Sequence, residues 1–153
     1  MEGRSVLLIT AFVLNILVLC SATPKYKDCG SVKGKVLAVN VSAPFVQNAF
    51  QLKKGDSVEF DVKFTSNEVV TKSTAKVYGM LGPAKIPFPI PNTDGCKDSG
   101  LSCPLKSGQN YEYKSNIPVK KVFPDVKVVV EWYLNDQSGE VIWCVAVPVK
   151  IVG

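Results

Sequence analysis

A chain of 153 residues, 46% hydrophobic and 20% charged, carries enough apolar material for one ordinary domain and is neither disordered nor collagenous in composition. It contains no histidine, which removes Ser-His-Asp and Cys-His triads, histidine acid–base chemistry and His-ligated zinc. The net charge of +5 favours solubility and loose attraction to anionic surfaces, and is small for a nucleic-acid binder, so no nucleic-acid partner is expected.

The chain opens with Glu2 and Arg4, then an apolar run from Val6 to Leu19 broken by Thr10 and Asn15, then the small residues Ser21 and Ala22. That order predicts a secretory signal peptide over residues 1–22, leaving one domain over 23–153. The run falls short of the roughly 20 residues that cross a bilayer. Cys20 leaves with the leader, and Cys29, Cys96, Cys103 and Cys144 remain. An even number in an oxidising compartment reads as two disulfides with three possible connectivities. Spacing favours Cys96–Cys103, which closes a loop holding Asp98, Ser99 and Gly100, and leaves Cys29 to tie the start of the mature chain to Cys144. A four-cysteine zinc site is the competing arrangement, but the C-x2-C spacing is missing and no metal is expected. Asn40-Val41-Ser42 makes Asn40 a glycan acceptor if it is exposed.

Beyond the leader, period-two alternation recurs. Strands are expected near Lys33–Ser42, Thr71–Leu81 and Asn110–Val119. Val58, Phe60, Val62 and Phe64 share one face of another strand, opposite Glu59, Asp61 and Lys63. Val126, Val128, Val130, Trp132 and Leu134 repeat the pattern. The last strand, about Val141 to Val152, places Val141, Trp143, Val145, Val147, Val149 and Ile151 on one side, with Pro148 suited to an edge or bulge. Turn signals fall at Lys53–Asp56, Ser66-Asn67, Lys106–Gln109 and Asn135–Gly139. Six or seven strands without intervening helices predict an all-β antiparallel sandwich. The run Ile86-Pro87-Phe88-Pro89-Ile90-Pro91 lacks three backbone donors and cannot join a ladder centrally. It serves either as a guard on a sheet edge or as a stiff apolar lip beside an opening.

Catalytic signals are weak, and no enzyme and no cofactor are expected. Glu59 and Asp61 read as the solvated half of a strand, and no phosphate-binding glycine loop is present. The lysines at 25, 27, 33, 35, 53, 54, 120 and 121 are scattered over turns and read as solvated surface. The inward-facing Phe60, Phe64, Trp132, Trp143 and valines either fill a core or line a cavity between splayed sheets. Periodicity does not separate the two.

Several motifs agree in order over almost all of residues 23–153. They include Lys27-Asp28-Cys29-Gly30-Ser31, Phe64-Thr65-Ser66-Asn67, Pro87-Phe88-Pro89-Ile90-Pro91 and Asp94-Gly95-Cys96-Lys97. They continue through Ser102-Cys103-Pro104, Pro118-Val119, Phe123-Pro124, Val130-Glu131-Trp132 and Pro148-Val149-Lys150-Ile151. This order resembles the ML lipid-recognition family. The resemblance implies an immunoglobulin-like, seven-stranded sandwich with an apolar pocket between its sheets, binding a sterol or another lipid without enzymatic activity. It places Phe88 at the pocket mouth with Pro118, Val119 and Phe123, and Trp132, Val58, Phe60, Val62 and Phe64 along the walls, where the inward face of the last strand adds Trp143 and Val145. It also agrees with the disulfide pairing favoured above.

Two departures stand out. The segment Ala43–Asn48 lacks the cysteines of the family's third disulfide, and Phe123 replaces a tyrosine. Both broaden the expected ligand from sterol to long-chain fatty acids. The implied partners are an apolar lipid, an anionic membrane surface met through lysines such as Lys120 and Lys121, and a membrane-protein acceptor. The implied setting is extracellular and also lysosomal. The competing function is an extracellular recognition module for a receptor or a microbial glycolipid.

Overall fold

Residues 57–66 form a strand whose buried hydrophobic positions are Val58, Phe60, Val62 and Phe64, while Glu59 and Lys63 face solvent. β-Branched and aromatic side chains suit such a half-buried pleat. The computed structural model describes residues 23–153, and the expected leader lies outside them. In chain order the strands are β1 (Lys27–Asp28), β2 (Gly34–Val41), β3 (Phe45–Val46), β4 (Ala49–Lys53) and β5 (Ser57–Ser66). They continue with β6 (Thr74–Leu81), β7 (Ala84–Phe88), β8 (Asn110–Pro118), β9 (Lys127–Asn135) and β10 (Val141–Val152). No helix occurs among the described residues.

Two sheets form a β-sandwich. The larger runs β3-β4-β10-β9-β6-β7, with β1 also paired to β10, and the smaller runs β2-β5-β8. Pairing is antiparallel with one exception: β4 lies parallel to β10. The chain reaches β3–β4 from β2 in the smaller sheet and returns to it through β5, so no hairpin fixes the sense of β4 against β10.

The structure joins Cys29 to Cys144 and Cys96 to Cys103. A bulge between Val141 and Trp143 shifts the register of β10, so the expected alternation runs cleanly only from Trp143 onward. Pro148 sits in the central strand β10 rather than on an edge strand. It falls in a gap, because β1 reaches only as far as Ala146 and β4 begins opposite Val149. The proline-rich run is on an edge: β7 pairs with β6 alone, with Phe88 opposite Val77. The short β3–β4 hairpin was not anticipated. Gln47 and Asn48 turn it with φ of 50° and 61°, the left-handed pair that a two-residue hairpin requires. Its strands are held by Phe45 against Phe50, with ring centres 4.9 Å apart, and Lys25 lies over Phe45.

One end of the sandwich is solid. Trp143 contacts Tyr113 and Phe64 at 5.4 and 6.0 Å between ring centres, and Val62, Val145, Leu134 and Leu105 are fully buried around them. The same end carries a charged cluster. Lys33 Nζ is 3.1 Å from Glu140 and 3.7 Å from Glu68. The buried Asp136 carboxylate accepts the amides of Ser138 and Glu140 at 2.8 and 2.9 Å. Burial works against the Asp136 charge, but those amides and the neighbouring Glu68 outweigh it and hold the carboxyl below the usual range. Glu68 is pushed above that range, by burial first and then by Asp136, and its Oε1 is buried without a hydrogen-bond partner.

Replacing both Cys29 and Cys144 with serine should lower stability by about 5 kcal/mol on the chain-entropy account, because the bridge spans 115 residues. The same change at Cys96 and Cys103, seven residues apart, should cost about 2.5 kcal/mol. Denaturant midpoints of the two double variants check that order. A second outcome concerns pH. The folded chain binds the Glu68 proton more tightly than the unfolded chain does. Its contribution to stability is therefore complete below the ordinary glutamate value and is lost as pH rises through the raised one. Asp136 contributes oppositely, above its ordinary value, and loses that contribution as pH falls through the lowered one. Glu68→Gln removes the charge and only one partly exposed ion pair, which contributes little. The variant should be more stable than the parent near pH 8 and lose that advantage toward about pH 4. Urea melts across this range would show a constant difference if the cluster does not titrate.

Candidate functional site

At the opposite end the inner faces hold mostly valine. Two packed sheets stand about 10 Å apart, a gap that rings fill and paired valines do not. An apolar cavity of about 120 Å³ results. The smaller sheet supplies Val41, Val58, Phe60 and Ile117. The larger supplies Leu52, Val77, Gly79, Val128, Val130, Trp132, Val147, Val149 and Ile151. Phe60 stacks on Trp132 with ring centres 4.3 Å apart and planes 11° from parallel. Tyr113 meets Trp132 edge-on from the packed side, so this stack forms the floor between the solid and hollow halves.

Phe88, Pro118, Val119 and Phe123 complete the lining. Phe88 and Phe123 meet edge to face at 5.4 Å. Phe88 ends β7 between Pro87 and Pro89, whose fixed φ limits the backbone freedom of this lip. Val119 is held from the other side: its amide donates to the Asp56 carbonyl at 2.8 Å, and its carbonyl accepts from Gly55. Gly79 exposes bare backbone to the cavity, and a Cβ built there would meet nothing within 4 Å. Glycine inside a strand marks a bulge, a tight bend or a close approach by a ligand or another backbone.

Every lining side chain is apolar, and no titratable side chain of the described residues reaches the cavity. Burial pushes the Tyr113 phenol up, but Tyr113 lies behind the floor. The arrangement can shelter hydrocarbon from water and offers no nucleophile, acid or base to a molecule held there. Its volume is comparable with that of an engineered cavity, about 150 Å³, that takes up benzene, and below the roughly 300–1,000 Å³ of drug-sized sites. A larger guest requires the walls to move apart.

Seven of the side chains expected at the pocket line the cavity: Phe88, Pro118, Val119, Phe123, Trp132, Val58 and Phe60. Val62, Phe64, Trp143 and Val145 do not. They lie deeper along the same strand faces, where the large rings of Phe64, Tyr113 and Trp143 close the space. Val147, Val149 and Ile151 were on the expected inner face of β10, yet nothing in alternation separates them from Trp143 and Val145. Gly79 and Leu52 carried no sequence signal. Asn40 is exposed on β2, and Lys120 and Lys121 are exposed next to Val119, which lines the cavity.

The sequence matches the family model of the ML domain over residues 23–151. The chain belongs to the ML-domain family. Among its ML-domain relatives, the NPC intracellular cholesterol transporter 2 of Danio rerio is 44% identical over 133 residues, which is 87% of this chain and 88% of that protein. The NPC intracellular cholesterol transporter 2 homolog a of Drosophila melanogaster is 38% identical over 136 residues, covering 88% and 92% respectively. The crystal structure of a Niemann-Pick type C2 protein from Japanese carpenter ant aligns with a TM-score of 0.79 and 32% identity, over 83% of this chain and 98% of that one.

Gly79→Leu in this ML domain would fill the hollow without a backbone clash. Affinity for a fluorescent apolar probe should fall by at least about tenfold, a loss of about 1.4 kcal/mol. The thermal midpoint should fall by no more than a few degrees. Equal probe affinity in parent and variant would show that the probe binds elsewhere.

Proposed function

We propose that this chain is a secreted, non-enzymatic lipid carrier that holds a sterol or a long-chain fatty acid between its sheets and passes it between membranes or through extracellular fluid. The observation that carries this reading is the wholly apolar cavity between the sheets, and its mouth is assigned to Phe88 and Phe123, which both line it. The names of the relatives as cholesterol transporters support it. Burying roughly 300–500 Å² of ligand surface at about 25 cal/mol per Å² yields about 8–12 kcal/mol gross. Association and widening of the walls reduce that figure, leaving affinities around the micromolar range.

The lipid lies with its hydrocarbon against the valines and the Phe60–Trp132 floor, and its polar end at the mouth, where solvent satisfies it. Lys120 and Lys121, exposed at that mouth, attract anionic bilayers and orient the opening toward them. The domain after the leader is residues 23–153, Cys29–Cys144 and Cys96–Cys103 serve an extracellular or lysosomal setting, and Asn40 is the glycan acceptor. A membrane-protein acceptor completes delivery.

Protein purified from the medium of expressing cells should yield, on solvent extraction and mass spectrometry, about one sterol or fatty acid per chain. Phe88→Ala should weaken binding of that lipid by about tenfold with the fold retained. Absence of any extractable lipid, together with no binding across a panel of sterols and fatty acids, would overturn the carrier. A saturable protein partner in the absence of lipid would favour the receptor module instead.

A further inference from the structure

The outer face of the larger sheet, turned away from the cavity, carries a cation held in an aromatic cage. Lys85 on β7 places Nζ 4.6 Å from the ring centre of Tyr78 on β6 and 4.5 Å from that of Tyr133 on β9. It donates to the Tyr133 hydroxyl at 2.8 Å and lies 3.0 Å from Glu131 Oε2. The Tyr133 hydroxyl donates to that same Glu131 oxygen at 2.8 Å, and the two tyrosine rings meet edge to face at 5.8 Å. One side chain therefore ties together three adjacent strands, reaching across β6 to β9.

The tie matters because of where it sits. β7 is an edge strand with a single neighbour, and Pro87 removes a backbone donor from within it. Three residues beyond Lys85, on the cavity face, the strand ends in Phe88. The backbone ladder to β6 is short, so the side-chain tie is the second hold on the element that presents Phe88 to Phe123. The mutual support of opposite charges is visible in both groups. The hydrogen bonds that Lys85 donates to Tyr133 and Glu131 hold its ammonium above its ordinary range, and Lys85 holds Glu131 below the ordinary carboxylate range.

We propose that Lys85, caged by Tyr78, Tyr133 and Glu131, is a positioning residue that clamps edge strand β7 and thereby sets how readily the Phe88 gate opens to an apolar ligand. The gating half of this inference rests on the carrier reading, and the clamping half does not. A clamp on a gate acts on the barrier to passage, so it slows loading and release together and leaves affinity nearly unchanged. A residue that only stabilised the fold would alter exchange throughout the sandwich.

Lys85→Ala, Lys85→Arg and the parent are compared by peptide-level hydrogen exchange over residues 84–90 and over β5, and by stopped-flow binding of a fluorescent fatty acid and a fluorescent sterol. In Lys85→Ala, exchange over 84–90 should rise by about tenfold while β5 stays unchanged. Association and dissociation rates should both rise by about tenfold, with affinity moving less than about threefold. Lys85→Arg, which keeps the charge and stacks on the rings, should restore both. Unchanged exchange over 84–90, or a rise shared equally by β5, overturns the clamp. Faster dissociation with unchanged association overturns the gate. Should the parent bind neither probe, the carrier reading fails, while exchange over 84–90 still decides whether Lys85 holds β7.

Discussion

The reach of a side chain across the gap between two sheets decides the character of this molecule. At one end Trp143, Tyr113 and Phe64 span the space and interlock, and the core there is solid. At the other, Val41, Val58, Val77, Val130 and Val149 extend from their walls without meeting a full layer of partners, and the space stays open. The same fold, with the same strand alternation, thus yields a packed core and a hollow in one continuous interior. Close packing is the rule for protein interiors, and a persistent apolar void leaves its lining without dispersion partners, so this one is a departure maintained at some cost in stability.

The stabilising devices are distributed to match. The long Cys29–Cys144 bridge, the Lys33–Glu68–Glu140 ion pairs and the hydrogen-bonded Asp136 turn all lie at the solid end. The hollow end relies on backbone pairing, the Gly55–Val119–Asp56 hydrogen bonds included, and on a few side-chain contacts: the Lys54–Asp125 ion pair, the Phe88–Phe123 contact and the Lys85 cage behind β7. The β3–β4 hairpin, without a disulfide of its own, is held by the Phe45–Phe50 pair. Wherever the chain must give way to admit a guest, the links are non-covalent.

Alternation made most of this architecture legible beforehand. The inner and outer faces of β5 and β9 follow period two, and the missing donors of the Pro87–Pro91 segment excluded a central place in a ladder, in keeping with β7 at the sheet edge. Alternation reports which face is buried, however, and is blind to depth along a strand. Val62 and Val58 carry the same signal, yet one is packed among rings and the other lines the cavity, because the difference lies in what faces them from the opposite sheet. Gly79 was hidden for a related reason, since its contribution is an absence of side chain at a place only the assembled walls define. The parallel pairing of β4 with β10 and the Lys85 cage arise from long-range juxtapositions that no local pattern encodes.

The Phe60–Trp132 stack has a mechanical consequence. Were the three-stranded layer to pivot about that stack, the rings would act as its fulcrum, with the interlocked core on one side and the cavity on the other. Rotation about such a pivot separates points in proportion to their distance from it. Volume would then be gained first and most at the rim and least beside the rings, and a growing guest would take the form of a wedge with its narrow tip on tryptophan.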